Sequence, residues 1–542
     1  MAQVISFFTA VSGKKSARIF NTGLFSGYDP QKEAVRFVAQ SMENKNPHIV
    51  VLLGAGLGYT VEALRAQFPA VKIICVFYHS DLYEQSENRG EESWAPHCSE
   101  PLAAFLNRTV SEDDLEGLEY LEWPACAQAF SEISKHANEV LVQVVRENAG
   151  NLITTVKSGP RWIRNTIYNF IKLDNPYVAV NTGKKNTVVI AASGPSLEAS
   201  LPMISSFRNQ IHLWALPSSL AFFRSNGITP DCVICTDGNY WAQTLFFFGH
   251  EPVPVIAMPL SASTGIARNA TNTVIFTQET FFEKALFSLA NVNPVRIPSH
   301  GTVAGSALLL ALHSGFQSIV FTGLDFCYSG IKSHVLPHPF YSMIFHASKR
   351  TAPFLHQSYD RALLHAPEVR GGKETIRTSA PLRAYAGSFA HLPIQADTAV
   401  FRLNPSLINT PGLPEISRDE FAGLIRKGNS KPAGPDFFCS SKYPEESERL
   451  RVVNRLMEGW KKILEAGKKQ LHDTNSVSWI RESGQLSELL TYLAGQKYLE
   501  AKKKERQGDN RQSIENAGDS MDIAANFVHS IHMKTGEKKQ DA

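Results

Sequence analysis

The sequence predicts an α/β protein: two Rossmann-like domains with mostly parallel sheets, followed by a helical C-terminal region. Three patterns carry that prediction. Short runs that are apolar at every or nearly every position, such as 49–53, 187–191 and 318–321, alternate with helix-like segments, which is the signature of strands covered on both faces. Glycine-containing turns follow two of these runs directly, at 54–58 and at 194. Beyond residue 444 the apolar positions switch to helical spacing.

The chain has 542 residues, more than one core ordinarily serves, so two or three domains are expected. Composition shifts place an N-terminal α/β domain at 1–126, a helical connection at 127–180, and a central α/β domain at 181–405. A linker rich in proline, glycine and serine at 406–443 and a helical region at 444–542 follow.

An apolar share of 43% and a charged share of 19% describe an ordinary globular protein. A formal net charge of +3 gives no phosphate-backbone footprint, so nucleic acid is not an expected partner, whereas a small anionic ligand is compatible with it. Seven scattered cysteines argue against a disulfide framework and for a reducing compartment. Cys232 and Cys235 share the spacing of redox and zinc sites, but no second such pair exists, and D-C-V-I-C-T-D reads as a buried strand. The strongest apolar run, 303–312, is about half the length of a membrane span, so no transmembrane segment and a cytoplasmic location are expected.

In the first domain an apolar strand, the turn G-A-G-L-G at 54–58, a helix and a second apolar strand make one β-α-β unit. Such a turn lets backbone approach a cofactor, yet V-F-Y-H-S occupies the place where a ribose-binding acid is usual. A cofactor site and a purely structural copy of the fold both remain open. From 127 to 172 apolar residues including Phe130, Ile133, Val140, Val144 and Ile167 recur at helical spacing.

The central domain is expected to carry strands at 187–191, 212–216, 232–235, 253–258, 273–276 and 318–321, with helices at 197–207, 218–226 and 303–314, a second doubly wound sheet. Past 444, Leu450, Val453, Leu456, Trp460, Ile463 and Leu464 give a helix an apolar face. The run 502–512 reads as a polar break, and the final G-E-K-K-Q-D-A reads as disordered.

The residues suited to chemistry sit at predicted strand ends. Ser193, Gly194, Pro195 and Ser196 form a turn between a strand and a helix: glycine for close approach, proline for a helix start, two hydroxyls, and helix-end N–H groups that suit an anion. It is not a Walker loop, since the lysine and the spacing are absent; a simple capping turn is the alternative. Asp237 and Asn239 follow the strand at 232–235, where Asp237 could hold Mg²⁺, bond a ribose or cap a turn. Gly323, Asp325, Phe326 and Tyr328 follow the last clear strand, the two rings suiting a nucleobase platform or the core. His300 and His334, in polar loops, are candidates to take a proton from an attacking hydroxyl.

These segments, in this order, resemble those of the bacterial motility-associated glycosyltransferase family: VVIAASGPSLE, DCVICTDG, SHGTVAGSA, FTGLDFCYSGIKSH, TSAPLRAY and LNPSLINTPGLP. The N-terminal unit with GAGLGY also resembles that family's preceding domain. The resemblance implies an enzyme that moves a nonulosonic sugar of pseudaminic, legionaminic or sialic type from its CMP ester to Ser or Thr of flagellin. The central domain is similar to bacterial sialyltransferases, and by that similarity Gly194, Pro195 and Ser196 map to the CMP-contacting turn and His334 to the general base. Where sialyltransferases carry Asn, this chain has Ser193. The same region resembles an archaeal pterin pyrophosphokinase that uses ATP. A non-catalytic flagellin-binding factor is a third reading, and oligomerisation is left open.

Overall fold

The computed structural model describes residues 5–20, 22–180, 185–246, 251–364, 368–371, 374–392, 394, 398–427, 438–439 and 443–536. The start of the expected central domain at 181–184, residues 428–437 and 440–442 of the expected linker, and all but the first residue of the final G-E-K-K-Q-D-A lie outside them. The architecture is α/β, with parallel sheets flanked by helices and a helical C-terminal region. The chain divides into two compact units.

The first unit draws on Met1–Lys157, Gln470–Ser483 and Leu490–Met521. Its parallel sheet orders the strands Glu92–Trp94, Lys72–Val76, Ile49–Leu53 and Leu118–Glu122, and a small antiparallel sheet is built from Ile5–Thr9, Lys15–Ile19 and Thr22–Gly23. Every residue of Ile49–Leu53 is buried, as expected of a strand covered on both faces. The turn after it has Gly54, Gly56 and Gly58 at φ 69°, 64° and 94°, a region that favours glycine. A Cβ on Gly56 would lie 2.2 Å from the Phe25 ring, and the Gly54 and Ala55 N–H groups both donate to the Val76 carbonyl. This turn is packed by the unit's own side chains.

The second unit draws on Ser158–Lys469, Gly484–Leu489 and Asp522–Ala542, and is built on a nine-stranded parallel sheet. In spatial order the strands are Val295–Arg296, Ala270–Thr277, Val253–Pro259, Cys232–Ile234, His212–Ala215, Lys185–Ala191, Phe316–Thr322, Ala399–Leu403 and Glu415–Ile416. Alternate residues feed two cores. Val188, Ile190, Trp214 and Ile234 join the core that includes Ala304, Ala307, Leu308 and Ala311 of the helix Val303–His313. Val189, Ala191, Leu213 and Val233 join the one that includes Leu197, Ile204, Leu220 and Phe223. Double-sided burial is why these strands read as unbroken apolar runs.

Chain order runs outward from Lys185–Ala191 to one edge, then returns to place Phe316–Thr322 on the other side of that first strand, with Thr322 opposite Ala191. The direction of winding therefore reverses between these two strands. In an open α/β sheet the loops at such a point diverge and leave a crevice at the carboxyl ends.

The strand and helix expectations hold in position, and the sheet is larger than the sequence reading allowed. Val295–Arg296, Ala399–Leu403 and Glu415–Ile416 were not anticipated: two are two-residue strands, and the third follows a long insertion. Cys232 and Cys235 are fully buried at the expected strand, and burial pushes the Cys235 thiol up to about 12. A continuous helix spans Ser131–Lys172 with Pro160 inside it. On the helix Glu446–Thr474, Val453, Leu456, Trp460 and Leu464 are buried, and Trp460 packs on Phe281 with ring centroids 5.8 Å apart. The polar run at 502–512 interrupts helix only briefly, between Gly484–Arg506 and Asn510–Gly536. Among the described residues no helix is long and apolar enough to cross a membrane.

Candidate functional site

A cavity of about 360 Å³ opens at the winding reversal, within the range of small-molecule sites. Its floor is made where two strand ends meet. After Ala191 the chain turns through Ser193 and Gly194, and after Thr322 through Gly323 and Asp325; the Gly194 N–H donates to the Gly323 carbonyl at 2.7 Å. A Cβ on Gly194 would stand 2.4 Å from an Asp325 carboxylate oxygen and 2.5 Å from the Gly323 oxygen. Gly323 has φ 65°, and its Cβ would stand 2.7 Å from the Ala192 oxygen. Both glycines are required by the close crossing of two backbones.

Asp325 secures that crossing. Its carboxylate accepts the Ser196 N–H and the Ser196 hydroxyl, both at 2.7 Å, and the Leu407 N–H at 3.4 Å. Burial pushes its carboxyl above the usual range, while these donors and the charge of Arg402 pull the other way. Arg402 is itself buried and ties down the loop of the L-N-P-S-L segment, donating to the Leu413 and Ile408 carbonyls and the Ser406 hydroxyl.

The anion expected at the start of the helix Leu197–Ser206 is thus, at Ser196, the protein's own carboxylate. Ser193 is different. It is 7% exposed and lines the cavity, its carbonyl accepts the Val335 N–H at 2.8 Å, and among the described residues neither its N–H nor its hydroxyl has a partner. Two adjacent donors at a strand-to-helix turn suit a phosphate oxygen.

The opposite wall comes from the segment after Tyr328. The Tyr341 hydroxyl accepts the N–H groups of Ser333 at 2.7 Å and His334 at 3.2 Å, fixing the loop that presents His334 to the cavity. His334 Nδ1 lies 2.8 Å from the Ser333 hydroxyl, and its ring stacks on His338 with centroids 4.2 Å apart. Burial lowers the His334 pKa to about 4; burial and then the charge of His334 lower that of His338 to about 3. Both rings are neutral at neutral pH. His338 Nδ1 accepts the Phe340 N–H at 3.1 Å and so caps the helix Pro339–His346.

Phe326 and Tyr328 border the same cavity, Phe326 with φ 47° and its ring 5.8 Å from Phe389. Ser193, Gly194, Gly323, Asp325, Phe326, Tyr328 and His334 therefore meet in one place. His300 is not among the lining residues. Its Nδ1 accepts the Thr302 N–H at 3.1 Å, and Thr302 caps the helix Val303–His313, so His300 shapes a helix start. Asp237 and Asn239 also lie outside the lining. The Asp237 carboxylate accepts the Asn239 N–H and side-chain amide, both at 2.8 Å, and Asn239 is bonded in turn by Arg161. The Asp237 carboxylate is thus engaged in a local turn, and among the described residues no three His, Cys, Asp or Glu groups converge to hold a metal.

Arg361 and Ser358 were missed by the sequence reading. They lie on one face of the helix Phe354–Leu364, and both line the cavity. The helix belongs to an insertion between the strands Phe316–Thr322 and Ala399–Leu403, and no motif marks it.

Three comparisons place the fold among known proteins. Residues 163–330 match the family described as 6-hydroxymethylpterin diphosphokinase MptE-like. An uncharacterised protein of Treponema pallidum (strain Nichols) is 23% identical over 417 residues, 75% of this chain and 85% of that protein. The solved structure of MAf glycosyltransferase from Magnetospirillum magneticum AMB-1 shares the fold, with a TM-score of 0.55 over 98% of this chain and 91% of that one at 12% identity. The chain thus shares the fold of that solved structure, and its segment 163–330 is similar to the MptE-like family.

Proposed function

We propose that the protein is a glycosyltransferase that moves a nonulosonic sugar of pseudaminic, legionaminic or sialic type from its CMP ester to a Ser or Thr hydroxyl of flagellin. The observation that carries this reading is that two Ser193 donors, without partners among the described residues, and a neutral imidazole on His334 border one cavity at the winding reversal. The order of the sequence motifs and the likeness in fold to a glycosyltransferase support it.

In this reading the Ser193 N–H and hydroxyl bond a non-bridging oxygen of the CMP phosphate, stabilising it as it leaves. Phe326 and Tyr328 flank the donor. When Nδ1–H of His334 donates to the Ser333 hydroxyl, Nε2 is the accepting nitrogen. The acceptor oxygen forms a bond to the anomeric carbon, the bond from that carbon to the phosphate oxygen breaks, CMP departs with the electron pair, and the hydroxyl proton passes to His334 Nε2. A phosphate bound nearby raises the affinity of the imidazole for that proton.

The test is to incubate the full chain with flagellin and CMP-pseudaminic, CMP-legionaminic or CMP-N-acetylneuraminic acid, measuring CMP release and the mass of flagellin. His334→Ala is expected to lower turnover by about 10²-fold or more, in line with general-base contributions. Transfer of diphosphate from ATP to 6-hydroxymethylpterin, without CMP release, would instead establish the activity named by the matching family. Tight flagellin binding with neither reaction would establish a binding factor.

A further inference from the structure

The cavity holds two charged side chains among its lining residues, Asp325 and Arg361. Asp325 is spent internally on Ser196 and Leu407. Arg361 is not: its guanidinium rests over the Phe340 ring, 4.7 Å from the centroid, and among the described residues it has no ion-pair or hydrogen-bond partner. Ser358, three residues earlier on the same helix face, is 4% exposed, and its hydroxyl is buried without a partner. A buried hydroxyl left in that condition is destabilising until a ligand supplies its partner. The Tyr328 hydroxyl likewise has no partner among the described residues, and Arg361 is close enough to lower its pKa against the larger effect of burial.

We infer that Arg361 and Ser358 bind the carboxylate of the transferred sugar, and so select an acidic sugar over a neutral one. The inference rests on the glycosyltransferase reading and deepens it. Contact with the Phe340 ring restrains the exposed guanidinium, which lowers the entropy lost when it engages a planar anion through two N–H groups. Ser358 supplies a third donor from one turn away, and a carboxylate has two oxygens with capacity for all three. Ser193 is a separate pair of donors in the same cavity. A donor with a single phosphate and a carboxyl group gives each set one anion, whereas a neutral sugar ester leaves Arg361 and Ser358 unmatched.

The experiment compares the affinities of the full chain, without acceptor, for CMP, for the CMP-sugar acid it turns over best, and for the carboxyl methyl ester of that compound. In the wild type the acid is expected to bind at least about tenfold more tightly than the ester. Arg361→Met should abolish that difference and leave CMP affinity within about twofold, and Ser358→Ala should reduce it by about three- to tenfold. Equal binding of acid and ester by the wild type, or equal weakening of CMP and CMP-sugar by Arg361→Met, would overturn the inference while leaving transferase activity standing. If no CMP-sugar is turned over and ATP binds in an Arg361-dependent way, a terminal phosphate is the anion, and both readings fall together. Unchanged melting temperatures for the two variants separate loss of recognition from loss of fold.

Discussion

The carboxylate of Asp325 accepts both the backbone N–H and the side-chain hydroxyl of Ser196, each at 2.7 Å, joining two segments 129 residues apart in the chain. One acid from the end of one central strand thus locks the turn that leaves the neighbouring strand. The donors left for a ligand are displaced from the helix start to Ser193.

Replacing that acid should loosen the turn. Asp325→Ala leaves the Ser196 N–H, the Ser196 hydroxyl and the Leu407 N–H without their acceptor, and a loss of about 3 kcal/mol or more is expected from breaking buried bonds to a charged group. Calorimetric melting of the full chain measures it. A change below about 0.5 kcal/mol would mean that water or a neighbouring group replaces the carboxylate at no cost.

The two crossing glycines should tolerate no side chain. Gly194→Ala drives a methyl to 2.4 Å from the Asp325 carboxylate, and Gly323→Ala combines a clash at 2.7 Å with a backbone at φ 65°. Each is expected to cost about 2 kcal/mol or more. Gly227→Ala has φ 68° and open space around its Cβ, so it bears the backbone strain alone and should cost less. Equal losses at all three positions would refute the steric account.

Ser193→Ala keeps the amide donor and removes the hydroxyl. Under the proposed reaction, kcat/KM for the CMP-sugar should fall about ten- to 150-fold, the worth of one hydrogen bond to a charged group. Ser193→Asn restores a donor one bond further out and should recover part of that loss. No change in either variant would assign phosphate binding to other groups.

Acid should act on this protein at two histidines. Folding holds His334 and His338 neutral, with pKa values of about 4 and about 3 against an ordinary value of 6.5. Between those values the unfolded chain binds more protons than the folded one, so stability falls as pH drops below about 6.5 and keeps falling to about pH 3. His338→Gln, which keeps a side chain able to accept the Phe340 N–H, should flatten that slope in melting temperatures recorded from pH 7.5 to 4.5. An unchanged slope would place acid sensitivity elsewhere. By the same shift, the acid limb of kcat/KM should lie well below 6.5, since the neutral form of His334 persists there.

How much of the site was legible in the sequence follows from how local each feature is. Ser193 and Gly194 sit in a strand–turn–helix pattern of a few residues, and Gly323 with Asp325 ends an apolar run, so both strand ends could be read directly. His334 entered through a polar loop, and by resemblance as the base. His300 and Asp237 looked equivalent by the same criteria, because a turn-forming residue and a ligand-binding one share composition and position; only the structure shows that they accept local bonds from Thr302 and Asn239 and that neither lines the cavity.

The sequence by itself determined the alternation of buried strands and helices, the two glycine turns and the amphipathic C-terminal helix, because hydrophobic period and turn chemistry act over a handful of neighbouring residues. Tertiary structure decided which of those turns keeps an open cavity: Phe25 fills the space at Gly56, whereas Ser193 keeps two donors without a partner among the described residues. It also brought Asp325 onto Ser196, and Arg361 with Ser358 onto the same wall. Winding order sets these long-range pairings. A sheet that reverses direction beside its first strand brings together loops far apart in the chain.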